Sequence, residues 1–221
     1  NEVSLFQAGV PDYLRTEPLD DITKSLLNGG DSGKRISIKG GVFRMIVNGK
    51  EVATNEERSM NMVIVNVAPK VSRSYYSGVY DSNAAATAPA CWSADAERPD
   101  KSVAAPQSSA CSTCPQNVKG SGQGESRACR FSRKLAVVLE NDLDGDIYSL
   151  SLPGQSIFGK GENGKLPLNA YAGFLAGFNV NVTAVVTQMR FDTNSATPKL
   201  TFKAVRPLTE AEYKQCKERG T

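Results

Sequence analysis

The sequence predicts a mainly β fold with a minor α component, and three observations support this. Short apolar runs of strand length alternate with turn residues, and one stretch with helical spacing lies between the later runs. Four cysteines fall within one segment that is poor in large apolar residues. The 221 residues, 40% of them hydrophobic, suffice for one domain with an insertion. We therefore predict an OB-like Greek-key barrel with an inserted four-cysteine zinc knuckle, with a β-sandwich as the alternative.

The composition along the chain divides it into three regions. Residues 1–35 form a loop-rich N-terminal segment. Residues 36–208 form the OB-like β domain, with the zinc knuckle inserted at about 81–130. Residues 209–221 form a C-terminal helix, which begins with the Thr-x-x-Glu sequence of a capping box.

The first strands carry a strong hairpin signal. Asn48-Gly49 separates two extended runs over 42–47 and 50–52, and this dipeptide favours the tight turn of a β-hairpin. The β-branched run over 62–67 has the composition of a strand that is buried on both faces. We therefore expect this run to be central in the sheet.

The later part of the domain returns to strand patterns after the cysteines. Runs over 135–139 and 147–152 predict a second hairpin, and runs over 182–191 and 199–205 predict a third strand pair. Between these two pairs, large apolar residues over 166–178 recur at helical spacing. A helix between later strands is consistent with the predicted barrel.

Four of the five cysteines have a spacing that suits one metal ion. The intervals between them are 19, 2 and 14 residues, for Cys91, Cys111, Cys114 and Cys129. Two thiolates on a tight turn and two from flanking segments can complete a closed, structural tetrahedral zinc site. Residues 81–130 contain too few large apolar side chains for a core, so bound Zn²⁺ would order them. Two disulfides or free thiols are the alternatives, and Cys216 is expected to be a bystander.

The chain contains no histidine, which excludes several kinds of active site. Ser-His-Asp and Cys-His catalysis and every His-containing metal site are impossible within this chain. No pair of acidic residues has a pattern that indicates acid–base catalysis. The sequence has no apolar run long enough for a membrane span and no signal-peptide pattern. We therefore predict that the protein is not an enzyme and has no membrane partner.

Basic and aromatic residues are interleaved in segments that flank the cysteines. Proteins that bind single-stranded nucleic acid combine a cationic groove with aromatic faces on which bases stack. The candidate binding residues are Lys70, Arg73, Tyr75, Tyr76, Trp92, Arg130, Phe131, Arg133 and Lys134. The alternative is that the aromatic residues support the core or the knuckle and that the cations are solvated. A net charge of +3 permits a polyanionic partner without requiring one.

The cysteine segments resemble those of a group of tailed-bacteriophage proteins. The similar segments are ACWS at 90–93, PQSSACSTCPQN at 106–117, GSG at 120–122, ACR at 128–130 and RKLAVV at 133–138. Some members of this group resemble single-stranded DNA-binding proteins of phage replication modules. The resemblance implies an OB-like fold, structural Zn²⁺ at the four cysteines and sequence-tolerant binding of single strands. Proteins of this function usually end in an acidic tail, whereas this chain ends in basic residues.

These observations predict a sequence-tolerant single-stranded DNA-binding protein that acts in phage DNA replication and recombination. Its partners would be single-stranded DNA and replication or recombination proteins, and it would act in the host cytoplasm. The main alternative is a zinc-stabilised structural or assembly protein of the phage virion. A third hypothesis is an adaptor that binds a host protein through residues 1–35.

Overall fold

The computed structural model of the protein describes residues 33–78 and 88–220, so most of the predicted segment 1–35 lies outside it. The described part is mainly β, as predicted. Its strands are β1 (Lys34–Ser37), β2 (Phe43–Val47), β3 (Lys50–Asn55), β4 (Ser59–Val67), β5 (Ser72–Tyr75), β6 (Cys91–Ser93), β7 (Cys129–Leu139), β8 (Tyr148–Pro153), β9 (Val185–Phe191) and β10 (Leu200–Pro207). Its α-helices are α1 (Gly154–Ile157), α2 (Leu168–Ala176) and α3 (Glu210–Arg219).

The strands form a curled, open sheet that makes a half-barrel. The strand order is β10-β9-β4-β7-β8-β1-β2-β3. Among the described strands only β1 and β8 are parallel neighbours. The curl of the sheet brings distant strands together. The rings of Phe43 in β2 and Phe191 in β9, for example, have centroids 4.6 Å apart. Four other strands lie between β2 and β9 in the sheet order.

The predicted hairpins are confirmed. Asn48 and Gly49 have φ angles of 51° and 80°, the left-handed conformation that a tight hairpin turn requires, and they join β2 to β3. β7 pairs with β8, and β9 pairs with β10, both in antiparallel register. β4 lies between β9 and β7, so the run over 62–67 belongs to a central strand as expected.

The main core lies on the inner face of the half-barrel. Side chains alternate between the two faces of a strand, so every second residue points inward. Met62 and Ile64 of β4 and Leu135 and Val137 of β7 are buried in this way. The sheet residues that follow the same alternation on the outer face are therefore available for other contacts.

The predicted helix over 166–178 is observed as the shorter α2. It begins after Pro167, which precedes the first turn, and its buried side chains are Leu168, Tyr171 and Leu175. Phe174 and Phe178 are 53% and 70% exposed, and their rings contact each other with centroids 5.4 Å apart. The buried stripe of α2 is therefore narrower than the apolar pattern of the sequence.

Helix α3 covers the outer face of the central strands. It forms a second, smaller core that contains Val63, Val65, Val138, Val186 and Cys216. The predicted capping box is confirmed at its start: the Glu212 N–H donates to Thr209 Oγ1 at 3.2 Å, and the Thr209 N–H donates to Glu212 Oε1 at 2.9 Å. In residues 33–78 and 88–220, no helix has the length and apolar content needed to cross a membrane.

Candidate functional site: a cysteine-lined cavity and a basic outer face

Two of the four candidate cysteines lie on neighbouring strands, on either side of β5. Tyr75 of β5 is aligned with Cys91 of β6 on one side and with Cys129 of β7 on the other. Aligned residues on neighbouring strands point to the same face of a sheet. Cys91 and Cys129 therefore share one face, although 37 residues separate them in the sequence.

The other two candidate cysteines are held by a tight turn, as the C-x2-C spacing predicts. The Cys114 N–H donates to the Cys111 carbonyl at 3.3 Å, and the Asn117 N–H donates to the Cys114 carbonyl at 2.9 Å. The Cys111 N–H donates to the Glu97 carbonyl at 2.9 Å, which ties the turn to the segment after β6. Both of these cysteines are buried.

All four candidate cysteines line one small cavity. The volume of this cavity is about 20 Å³, enough for one small ion or one water. Within the described residues no three His, Cys, Asp or Glu side chains are grouped closely enough to hold a metal ion. None of the five cysteines is in a disulfide. The cavity thus collects the four thiols without placing them as ligands around one point, and the zinc knuckle stays a prediction.

Arg73 lies in the wall of this cavity instead of at the surface. The sequence predicts that Arg73 binds nucleic acid, but it is only 3% exposed, so it cannot contact a phosphate in this conformation. Its guanidinium carbon is 4.0 Å from the centroid of the Phe131 ring. Its Nη2 donates to Asn117 Oδ1 and, at 3.4 Å, to the Cys129 carbonyl.

The charge of Arg73 has no counterpart in the described part of the chain. No described carboxylate forms an ion pair with it, and its buried Nε has no hydrogen-bond partner. A buried cation without a compensating anion is unfavourable. The Cys129 thiol is close enough to interact with this charge. Burial raises the pKa of the Cys129 thiol, and Arg73 offsets part of this rise.

Three more candidate binding residues have structural contacts. Tyr75 lines the cavity between Cys91 and Cys129. The Phe131 ring packs edge-on against Phe158 with centroids 5.4 Å apart. Arg133 Nε donates to the Ala68 carbonyl at 3.0 Å and so holds the connection between β4 and β5. For these side chains the structure favours the supporting role that the sequence left open as the alternative.

Trp92 and Arg130 lie on the opposite face of the same strands. Both are aligned with Ser74 of β5, one from β6 and one from β7. Lys134 follows Arg130 by four residues in β7 and therefore lies on the same face. Trp92 is half-buried, whereas both cations are exposed.

This outer face continues across β8 to β1. Lys134 is aligned with Ser151 of β8, and Ser149 of β8 is aligned with Arg35 of β1. Arg35 is exposed, and Arg35, Arg130 and Lys134 form no ion pair with any described residue. We call this surface the basic outer face, and it consists of Arg35, Ser74, Trp92, Arg130, Lys134, Ser149 and Ser151. Sequence reasoning missed Arg35 because no local pattern indicates that β1 pairs with β8.

The last two candidates lie outside this surface. Lys70 is exposed and forms an ion pair with Glu97 at 3.0 Å, which connects the end of β4 to the cysteine segment. Tyr76 follows the end of β5 and is 52% exposed. Of the nine candidate residues, Trp92, Arg130 and Lys134 are therefore the ones that the structure brings together on an accessible face.

Comparison with known proteins gives no independent identification of this site. The resemblance to phage proteins therefore remains a prediction from the sequence. No family model matches the chain, and no curated protein and no solved structure is significantly similar to it.

Proposed function

We propose that the protein binds single-stranded DNA without sequence preference, through the basic outer face, in phage DNA replication and recombination. The observation that carries the proposal is the set of three exposed cations, Arg35, Arg130 and Lys134, without ion-pair partners in the described residues. Unpaired cations can bind phosphates and release counterions. Trp92 at one end supplies an aromatic side chain on which a base can stack.

The chemistry of the surface suits a flexible strand better than a duplex. The cations are separated by serines such as Ser149 and Ser151, whose hydroxyls can donate to or accept from sugar, base or phosphate. The surface belongs to strands and not to a projecting helix, so it has no element that would enter a major groove. Cations along a sheet with one aromatic side chain are typical of sequence-tolerant binding.

The strand pairing supports the OB-like part of the proposal. In an OB fold the first strand pairs with the second and the fourth, and a helix commonly precedes the fourth. Here β4 pairs with β7 and β9, β8 follows β7, and α2 precedes β9. In this assignment β7 and β8 are the second and third strands, whose outer face and adjoining loops bind ligands in OB folds. The cysteine segment then occupies the loop between the first and second strands.

The donor set and the charge of the cavity fit a structural zinc ion. Cys91, Cys111, Cys114 and Cys129 are thiol donors, which suit Zn²⁺, and they leave no open position for a substrate. Four thiolates and one Zn²⁺ carry two net negative charges, which would compensate the buried guanidinium of Arg73. When bound, the ion would order the cysteine segment and take part in no reaction.

The proposal is tested by fluorescence anisotropy with labelled oligo-dT at several salt concentrations, beside a duplex of equal length. We expect the purified protein to prefer the single strand and to bind it more weakly as salt rises. The combined substitutions Arg35→Ala, Arg130→Ala and Lys134→Ala should make the slope of log affinity against log salt shallower by about 2, at about 0.7 per phosphate contact.

The matched control uses cations beyond α3. Arg190 of β9 and Lys203 of β10 are exposed residues on the far side of the central strands, so Arg190→Ala with Lys203→Ala should leave the slope unchanged. Failure of the wild-type protein to bind oligo-dT at low salt would contradict the proposal. The virion assembly role would then be preferred, and the exposed Phe174 and Phe178 would be its candidate contact residues.

A further inference from the structure

The cysteine cavity and the basic outer face are the two sides of the same strands. In β6, Trp92 lies between Cys91 and Ser93, and in β7, Arg130 directly follows Cys129. Because side chains alternate along a strand, each cysteine on the cavity side has a proposed DNA contact as its neighbour on the outer side. The two cysteines and the two DNA contacts are aligned across β5, the strand that lies between β6 and β7.

β6 needs support from the cavity because it is short. It has three residues and pairs only with β5 among the described strands. The Asp100 N–H donates to the Trp92 carbonyl at 2.8 Å, and the segment that follows leads to the turn of Cys111 and Cys114. The position of Trp92 therefore depends on how firmly the cysteine segment is held against β5 and β7.

We propose that a metal ion bound by the four cysteines controls the affinity for single-stranded DNA, because it fixes Trp92 relative to Arg130. A shared ion would join Cys91 in β6 to Cys129 in β7 and prevent β6 from separating from β5. The stacking residue and the phosphate contact would then keep the spacing that their alignment with Ser74 defines. This control rests on the DNA-binding function proposed above, since it acts on the same surface.

Linkage makes the control reciprocal. If the metal ion raises the affinity for DNA by some factor, bound DNA raises the affinity for the metal ion by the same factor. Couplings of this kind typically amount to 5–150-fold, so a change of about tenfold in oligo-dT affinity is the expected size. Oligo-dT should likewise slow the loss of zinc to a chelator.

The test uses Trp92 as a built-in reporter, because it is the only tryptophan of the chain. The full chain is loaded with Zn²⁺, its zinc content is measured with a chromogenic chelator, and the ion is then removed and restored. Tryptophan emission and its quenching by acrylamide are followed in parallel with oligo-dT anisotropy. We expect metal removal to increase the quenching of Trp92 and to weaken oligo-dT binding by about tenfold, and zinc addition to reverse both.

Cysteine variants distinguish the effect of the cavity thiols from a general effect on the fold. Cys111→Ser with Cys114→Ser removes two donors from the turn and should reproduce the metal-free behaviour without any chelator. Cys216→Ser is the matched control, because Cys216 is buried under α3 and does not line the cavity. It should retain zinc, the quenching of Trp92 and the affinity for oligo-dT. Circular dichroism identifies a variant that fails to fold, and chelation of the wild-type chain then decides the question.

The outcomes distinguish this proposal from the DNA-binding function itself. Equal oligo-dT affinity with and without the metal ion, or a chain that never retains zinc, would overturn metal control while leaving DNA binding intact. A zinc-loaded chain that does not bind oligo-dT would overturn the DNA-binding function and with it the control. In that case a response of Trp92 emission to zinc would still show that the cavity and the outer face are connected.

Discussion

Arg73 is the residue whose surroundings bear most directly on the proposed metal ion. Its guanidinium packs on Phe131 and reaches Asn117 and Cys129, yet its Nε and its charge are uncompensated in the described residues. With four neutral thiols around it, the charge is a cost to folding. With a metal–thiolate group of charge −2 beside it, the same residue becomes stabilising. Replacement of Arg73 is therefore expected to stabilise the metal-free chain and to destabilise the metal-bound chain.

Replacement of Arg73 by methionine tests its role as the counter-charge. Arg73→Met keeps much of the side-chain length but removes the charge, so we expect the affinity for zinc to fall by about 10–100-fold, as for other residues that support metal ligands. The measurement is zinc transfer to a chromogenic chelator. Arg133→Met is the control, because Arg133 lies in β7, the strand next to β5, and hydrogen-bonds to Ala68 outside the cavity. Equal zinc affinity in both variants would contradict the role.

At the scale of single elements, α3 shows how one carboxylate can serve two purposes. Glu212 accepts the Thr209 N–H in the capping box and also binds Arg206, whose Nη1 is 3.0 Å from its Oε1. These contacts lower the pKa of Glu212 from 4.5 to about 2, and the hydrogen bond from Arg206 has the largest effect. Gly220 ends the helix where a Cβ would overlap the Val65 carbonyl oxygen, so the chain can turn closely over β4.

The lowered pKa of Glu212 predicts a pH-dependent contribution to stability. Because the carboxylate is favoured in the folded state, its contribution is complete above pH 4.5 and is lost as the pH falls toward 2. Urea unfolding of wild type and Glu212→Gln at several pH values should therefore give a difference that shrinks over this range. Glu210→Gln, in the same turn, is the control. A difference between wild type and Glu212→Gln that is independent of pH would refute the assignment.

Elements with local determinants were predictable from the sequence, whereas their assembly was not. The hairpin at Asn48-Gly49 and the cap of α3 depend on residues a few positions apart. The pairing of β1 with β8 depends on segments far apart, and no local signal indicates a parallel neighbour. The burial of Arg73 likewise depends on β6 and Asn117, so an alternating basic–aromatic pattern could not reveal which face was covered.

At the scale of the whole molecule, the curl of the sheet is secured by contacts between its two ends. Phe43 is fully buried, and its ring meets Phe191 across the interior, so β2 and β9 are held together without being hydrogen-bonded neighbours. Such a contact contributes both apolar burial and aromatic packing. Loss of this contact is therefore expected to lower the stability of the half-barrel as a whole.

Phe43→Ala should reduce the free energy of unfolding by about 3–5 kcal/mol, because it leaves a cavity in the centre of the core. Urea denaturation at neutral pH measures the loss. A double-mutant cycle with Phe191→Ala should give a coupling of about 0.5–1.5 kcal/mol for the ring pair. Val52→Ala, at an exposed position of β3, is the control and should change stability little. A loss below about 1 kcal/mol for Phe43→Ala would contradict the burial of Phe43 in the core of the half-barrel.

The parallel pairing of β1 with β8 also has a consequence for synthesis on the ribosome. Lys34 at the start of β1 and its ion-pair partner Asp146, just before β8, are 112 residues apart. At translation rates of roughly 5–20 residues per second, β8 is synthesised on the order of 10 s after β1, β2 and β3. During that interval Ile36, Phe43 and Met45 have no completed interior to enter. Until β8, about two thirds of the way along the chain, has been translated, β1 lacks one of its two neighbours, and we expect these apolar side chains to stay exposed on the nascent chain.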